Sequence, residues 1–295
     1  MNSQKEAYDA ALDSRLIYDV GMHRGQDTGY YLRKGFRVVA FEANEELVAQ
    51  AKQNFRLPLD SGQLTIIEGA IVEADDRPDG SEFVSFFINK DVSEWGTAQP
   101  GIASKNVALG TNVFEVRVRA VDFRAIINQY GMPYYMKIDI EGSDMVCIRA
   151  LKAFETKPAY LSYEATKISL AALADELDLL QELGYTRFAA VEQSLVIHQV
   201  PPLTSREGNS ITCPFPFGSS GLFGTDLNSP WCTRDQMLRK FRPIMLGYKL
   251  LGDCGALKTL TFPGARLLRG GCRRILQAVV GAPVPGWYDI HARQG

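Results

Sequence analysis

Little in this chain of 295 residues ties it to a membrane span, a secretory route or a nucleic acid. No apolar run approaches the roughly 20 residues needed to cross a bilayer. The opening MNSQKEAYDAALDSR is polar and lacks the apolar centre of a signal peptide. The five cysteines (Cys147, Cys213, Cys232, Cys254 and Cys272) are odd in number, far apart and never in a CxxC pair. That spacing argues against a disulfide framework and a cysteine zinc site, and it suits a reducing cytoplasm. A formal net charge of −2 gives no overall attraction to nucleic acid. Internal repeats and low-complexity tracts are missing as well.

What is present is an ordinary globular composition, 46% hydrophobic and 22% charged, long enough for one large domain or two small ones. The charge is uneven. From Cys232 onward there are 11 Lys+Arg against 3 Asp+Glu, whereas the rest of the chain carries 21 against 31. A basic tail on an acidic body leaves two readings open, an anionic partner or a solvated surface.

Short apolar runs alternate with amphipathic ones over the first 200 residues. RLIYDVGM (15–22), RVVAFEA (37–43), LTIIEGAI (64–71), YYMKIDIE (134–141) and AYLSYEAT (159–166) read as strands of a sheet covered on both faces. DTGYYLRKG, NEELVAQAKQNF, SDMVCIRALKAF and SLAALADELDLLQELG read as the helices between them, with Asp27, Asn44 and Ser143 as expected N-caps. The alternation indicates a doubly wound α/β sheet. FVSFFIN (83–89) and FEVRVRAV (114–121) read as an inserted strand pair flanking a long polar loop. YTRFAAVE and LVIHQV are expected to pair as a terminal hairpin. Beyond Pro201 the periodicity fails, so a domain of residues 1–200 followed by an irregular lid or extension, 201–295, is expected.

The first strand ends in Asp19-Val20-Gly21 and turns through Gly25 into a helix, an arrangement that gathers backbone N–H groups around a ligand. Glu42, at the end of the second strand, is placed to accept hydrogen bonds from ribose hydroxyls. A dinucleotide loop would want glycine where His23 stands, because the backbone must approach a pyrophosphate there. S-adenosylmethionine carries no phosphate and tolerates a side chain at that position. An oxidoreductase using NAD(P) on the same fold is the alternative reading, and a non-catalytic scaffold or membrane-surface protein is a third.

The segments YDVGMHRGQDT, VVAFEANEELV, IIEGAI and MKIDIEGSDMVCIRAL resemble, in order and spacing, the FkbM family of S-adenosylmethionine-dependent methyltransferases. The resemblance covers roughly residues 15 to 200, and Lys-Ile-Asp-Ile-Glu-Gly is its most specific part. It implies a Rossmann-like class I methyltransferase fold with a mostly parallel seven-stranded sheet. It also implies O-methylation of a hydroxyl on a sugar, glycan or other sugar-containing metabolite. Family loops more often read D-V-G-A-N-x-G, so His23 and Arg24 depart from the common form. By this resemblance Asp19, Gly21, His23 and Gly25 line the methionine end, with Thr28 at the helix start. Glu42, Ala43 and Asn44 hold the ribose, and Glu68, Gly69 and Ala70 border the adenine.

Catalytic groups are expected at the carboxyl ends of the strands, where open α/β sheets bind their ligands. Period-two alternation puts Lys137, Asp139 and Glu141 on one face of the fourth strand, and the fifth delivers Glu164 to the same rim. Three ionisable groups on one face of an apolar strand are costly to bury without partners or a purpose. Asp139 is expected near the transferring methyl, and Glu141 or Glu164 near the acceptor hydroxyl. Base catalysis without a metal is favoured, with Mg²⁺ at Asp139 and Glu164 as the other option. The SEWGTA loop is expected to arch over the rim, with Ser93 and Thr97 bonding the cofactor and Trp95 stacking on a sugar or on adenine. His291 is a candidate base at the acceptor site. The basic stretch ARLLRGGCRRILQAVV could lie on an anionic membrane or pack on the catalytic domain or a second subunit, and Gly270-Gly271 is expected to interrupt it as a helix.

Overall fold

A computed structural model describes residues 10–73, 81–252, 255–258 and 260–295. The strands are β1 (Leu12–Val20), β2 (Arg37–Glu42), β3 (Leu64–Glu68), β4 (Ala70–Ile71), β5 (Phe83–Asn89), β6 (Val113–Val121), β7 (Met132–Ile138), β8 (Tyr160–Glu164), β9 (Tyr185–Glu192) and β10 (Tyr288–Gln294). The α-helices begin with α1 (Gln26–Arg33), α2 (Glu45–Asn54), α3 (Arg56–Asp60), α4 (Pro100–Ala108) and α5 (Phe123–Tyr130). They continue with α6 (Asp144–Ala150), α7 (Leu170–Glu182), α8 (Arg234–Leu251) and α9 (Ala265–Val280).

The strand order β3-β2-β1-β7-β8-β10-β9 makes a seven-stranded sheet. It is parallel from β3 to β8, and β10 runs antiparallel to β9. A second, three-stranded sheet in the order β4-β6-β5 contains the inserted pair, with β5 and β6 antiparallel as the alternating pattern implies. The break between β3 and β4 falls at Gly69, whose φ of +135° a side chain would rarely adopt. Residues that read as one strand, 64–71, therefore serve two sheets.

The chain forms two compact units. One comprises Met1–Tyr163, Pro201–Cys213 and Phe223–Asp226, and the other Glu164–Val200, Pro214–Leu222 and Leu227–Gly295. This division falls at Glu164 rather than at residue 200, and it returns two later segments to the first unit. Phe223 belongs to the core there. It stacks on Tyr135 with ring centroids 4.6 Å apart and meets the Tyr31 ring edge-on. Lys34 and Asp226, both buried, form an ion pair at 3.1 Å joined by the Ser205 hydroxyl. The phenylalanine-rich segment expected as a lid is thus partly structural.

Three local expectations fail. LVIHQV does not pair with β9: residues Gln193–His198 form a 3₁₀ helix, and β9 pairs instead with β10, which places His291 opposite Ala189. Gly270-Gly271 does not interrupt a helix. α9 runs unbroken across both glycines, because the burial of Ala265 and Leu276 outweighs a helix-propensity penalty of about 1 kcal/mol per glycine. Helix α1 is capped by Gly25 rather than by Asp27, which lies in its first turn. Asn44 caps α2 as expected, accepting from the Glu46 N–H at 3.0 Å. Ser143 precedes α6 without a side-chain cap bond.

Candidate active site

The glycine loop is built on left-handed backbone. Gly21, His23 and Gly25 have φ of +84°, +50° and +80°, so the chain turns sharply out of β1 and into α1. The N–H groups of Gly21 and Met22 both donate to the Phe41 carbonyl, at 3.1 and 2.9 Å, tying the loop to the end of β2. A Cβ on Gly21 would lie 2.0 Å from the Asp139 carbonyl oxygen, and one on Gly25 would strike the Phe55 ring. Both glycines therefore allow close packing against neighbouring chain. Phe55 carried no signal in the sequence, since it reads only as the end of an amphipathic helix.

Glu42 sits half-buried at the end of β2. Its Oε1 accepts the N–H groups of Ala43 and Asn44, at 3.0 and 2.9 Å, and its Oε2 accepts that of His23 at 2.9 Å. Burial pushes its pKa up to about 7, against the pull of these three donors and of the Lys137 ammonium. The carboxylate thus shapes the loop around His23 and retains acceptor capacity for hydroxyl groups.

Beneath the loop lies a buried ionic cluster. Asp19 is fully enclosed and accepts from the Thr28 hydroxyl at 2.5 Å, while its other oxygen is 3.4 Å from the Lys137 ammonium. Lys137 donates to the Gly21 carbonyl at 2.6 Å and stands 3.7 Å from Asp139 Oδ2. Asp19 and Thr28 brace β1 against α1 from inside. The Lys137 head group is sealed under the loop it holds.

Asp139 differs from its neighbours. Its side chain is 39% exposed, at the point where β7 gives way to loop. The alternation expected through Glu141 stops there, since β7 ends at Ile138 and Glu141 takes a φ of +22°. Glu141 is held through its backbone instead, its carbonyl accepting the Thr97 hydroxyl at 2.8 Å.

That contact belongs to a roof formed by the insertion between β5 and β6. Ser93 Oγ lies 2.9 Å from His23 Nε2, and the Gln99 amide donates to Ser143 Oγ at 3.2 Å. Ile102 of α4 fills the space where a Cβ on Gly142 would fall. The loop expected to arch over the rim therefore reaches both the β1 and β7 ends. Helix α4 within it was missed, although Pro100 at its first turn was an available signal. Thr97 is buried and engaged with Glu141 and the Gln99 N–H, so its hydroxyl serves the roof rather than a ligand. Trp95 lies in the short 3₁₀ turn Ser93–Trp95 and is partly exposed. The His23 pKa is lowered, chiefly by burial, so this ring bonds to Ser93 as a neutral imidazole near neutral pH.

The other candidates are dispersed. Glu68 is exposed and paired with Lys52, Gly69 donates its N–H to the Glu42 carbonyl at 2.9 Å, and Ala70 enters β4 opposite Ala120. Glu164 ends β8 and pairs with Lys167. His291 is buried inside β10, where desolvation pulls its pKa down to about 3. The ring lies in mid-strand opposite Ala189, away from the end of its strand. Among the described residues, no group of three or more His, Cys, Asp or Glu side chains is arranged to hold a metal ion.

The site fits S-adenosylmethionine on its own chemistry. The loop makes a left-handed turn with an imidazole where a pyrophosphate would need glycine, and its Gly21, Met22 and His23 N–H groups are spent on Phe41 and Glu42 rather than offered to a phosphate. Glu42 suits a vicinal diol, and the exposed Asp139 carboxylate stands at the mouth of the same site.

Comparison with known proteins agrees. The methyltransferase FkbM domain family matches residues 19–187, more than half of the chain. No curated protein matches. Among solved structures, precorrin-6y C5,15-methyltransferase from Geobacter metallireducens is 11% identical with a TM-score of 0.35, over 97% of this chain and 82% of that one. An S-adenosylmethionine-dependent methyltransferase from Archaeoglobus fulgidus is 10% identical with a TM-score of 0.37, over 95% and 86%. Likenesses this distant carry no argument about acceptor or mechanism. The family match and the sheet order stand without them, and the chain belongs to the FkbM methyltransferase domain family as an S-adenosylmethionine-dependent methyltransferase.

Proposed function

We propose that the enzyme methylates a hydroxyl group of a sugar or sugar-containing metabolite, with Asp139 as the group that receives the hydroxyl proton. The observation that carries this reading is the contrast between Asp19, sealed at 0% exposure, and Asp139, 39% exposed at the mouth of the same cluster. A carboxylate that is both anchored and open is what an aliphatic hydroxyl, a poor nucleophile, requires of a base.

The cofactor supplies an electrophilic methyl group on a sulfonium, already a good leaving group. The chain must therefore align the acceptor and exclude water. Lys137 orients the Asp139 carboxylate from below. The roof residues Ser93 and Thr97 tie the insertion to His23 and Glu141 over the strand ends. Glu141, on fixed backbone beside the roof, supplies a second carboxylate for a neighbouring acceptor hydroxyl. The sugar itself rests on the family resemblance, and a reducing cytoplasmic setting accords with the unpaired Cys147, Cys213, Cys232 and Cys272.

The test is transfer from S-adenosylmethionine labelled in its methyl group to a panel of free sugars, nucleotide sugars and glycosides, read by mass spectrometry. The expected product carries the label as an alkali-stable ether on a ring hydroxyl. Label found on nitrogen or as a labile carboxylate ester would overturn the reading. Asp139→Asn is expected to abolish turnover while S-adenosylhomocysteine still binds.

A further inference from the structure

We propose that His23 is a positioning residue that makes the placement of the roof depend on bound cofactor, by joining Glu42 to Ser93. Two contacts carry this. The His23 N–H donates to Glu42 Oε2 at 2.9 Å, and its ring Nε2 lies 2.9 Å from Ser93 Oγ. One residue therefore touches both the carboxylate suited to a ribose diol and the insertion folded over the strand ends. Its φ of +50° lies in the left-handed region, which a residue other than glycine adopts at a cost. One bond from the backbone and one at the ring hold it there.

Ser93 is a fixed point on the roof side. Asn89, 1% exposed, accepts the N–H groups of Asp91 and Val92 at 3.1 and 3.0 Å and donates to the Thr111 hydroxyl at 2.8 Å. That hydroxyl donates to the Asn106 carbonyl at 2.9 Å, and the Asn106 amide donates to the Trp95 carbonyl at 3.3 Å. The turn Ser93–Trp95 and helix α4 thus form one frame, and a displaced Ser93 would carry the frame with it. Thr97 anchors the frame at the β7 end, whereas the His23 contact leads to Glu42.

Acceptor capacity gives the sign of the coupling. A carboxylate has about four lone-pair sites. Oε1 already takes the N–H groups of Ala43 and Asn44, and Oε2 takes that of His23, which leaves room on Oε2 for a ribose hydroxyl beside the His23 N–H. Hydroxyl donors favour the ionised carboxylate, and burial has lifted the Glu42 pKa to about 7, so bound cofactor raises the negative charge on this oxygen. A charged acceptor strengthens the bond from the His23 N–H. The cofactor therefore fixes the left-handed turn, the turn fixes the ring, and the ring fixes Ser93. The ring itself stays neutral: Glu94 and Asp139 raise its pKa, Arg24 and Lys137 lower it, and burial prevails.

The test uses the full chain with S-adenosylhomocysteine and does not depend on the acceptor. Hydrogen exchange read by mass spectrometry should slow across residues 89–108 when S-adenosylhomocysteine is added to wild type. Ser93→Ala and His23→Asn should each remove that added protection; asparagine tolerates the left-handed backbone but is one bond too short for Ser93. Each should weaken S-adenosylhomocysteine binding about five-fold, the size of one neutral hydrogen bond. In the Ser93→Ala/His23→Asn pair the effects should not multiply, giving about five-fold again rather than about twenty-five-fold. Wild-type affinity or undiminished protection in Ser93→Ala, effects that multiply, or a roof whose exchange ignores the ligand would each overturn the proposal. Should His23→Asn fail to fold, Ser93→Ala decides alone. A wild type that binds no S-adenosylhomocysteine would overturn the proposal together with the cofactor assignment.

Discussion

Lys137→Met is expected to destabilise the apo-protein by about 3–5 kcal/mol, because it strands the Asp19 carboxylate in the interior without its cation. Asp19 and Lys137 have side-chain exposures of 0% and 5%, so water cannot screen or replace the pair at 3.4 Å. The second pair made by Lys137, to Asp139 at 3.7 Å, involves a partner 39% exposed and contributes about 1 kcal/mol or less. The lost hydrogen bond to the Gly21 carbonyl adds about 1 kcal/mol. Urea unfolding followed by circular dichroism would measure the single variant, Asp19→Asn, Asp139→Asn and the Lys137→Met/Asp19→Asn pair. Removing both buried charges should recover 2 kcal/mol or more of the loss, to order of magnitude, while Asp139→Asn stays within about 1 kcal/mol of wild type. If Lys137→Met costs less than about 1 kcal/mol, or if the double variant is no better than the single, the buried cluster does not anchor the loop and the positioning role of Lys137 fails.

Gly21→Ala should cost about 2–4 kcal/mol, combining a left-handed penalty with overlap on the Asp139 carbonyl, and S-adenosylhomocysteine calorimetry should show weakened binding. Burial raises the Glu42 pKa from 4.5 to about 7, so apo-stability is lost as pH rises through that interval. Glu42→Gln should flatten this limb in denaturation series across pH. His291 has the opposite sign: its folded pKa is depressed to about 3, so its stabilising contribution is present above 6.5 and is lost as pH falls below that value. His291→Gln should relieve up to about 1.4 kcal/mol per pH unit of acid sensitivity there, measured as unfolding midpoints between pH 6 and 4, roughly the accessible window.

Strand and helix identity were legible along most of the first 200 residues because apolar period and capping are local properties. The Asn44 cap and the turn at Gly25 and Gly35 depend on neighbours within one turn of chain. The glycine loop, Glu42 and the Lys-Ile-Asp-Ile-Glu-Gly segment likewise pointed to the family before any contact was known. Pairing partners were not legible. Whether β9 joins Leu195–Val200 or a strand almost a hundred residues later depends on which apolar face is left to cover, a matter settled by the whole sheet. Nor could spacing separate Asp19 from Asp139, two aspartates at strand ends. Tertiary packing seals one beneath Thr28 and Lys137 and leaves the other open, because burial is decided by the neighbouring strands and by the insertion folded over them. Composition established the basic, apolar character of the C-terminal segment. Only the packing of Leu276 against Leu251 and Val284 determined which of its faces remained outside.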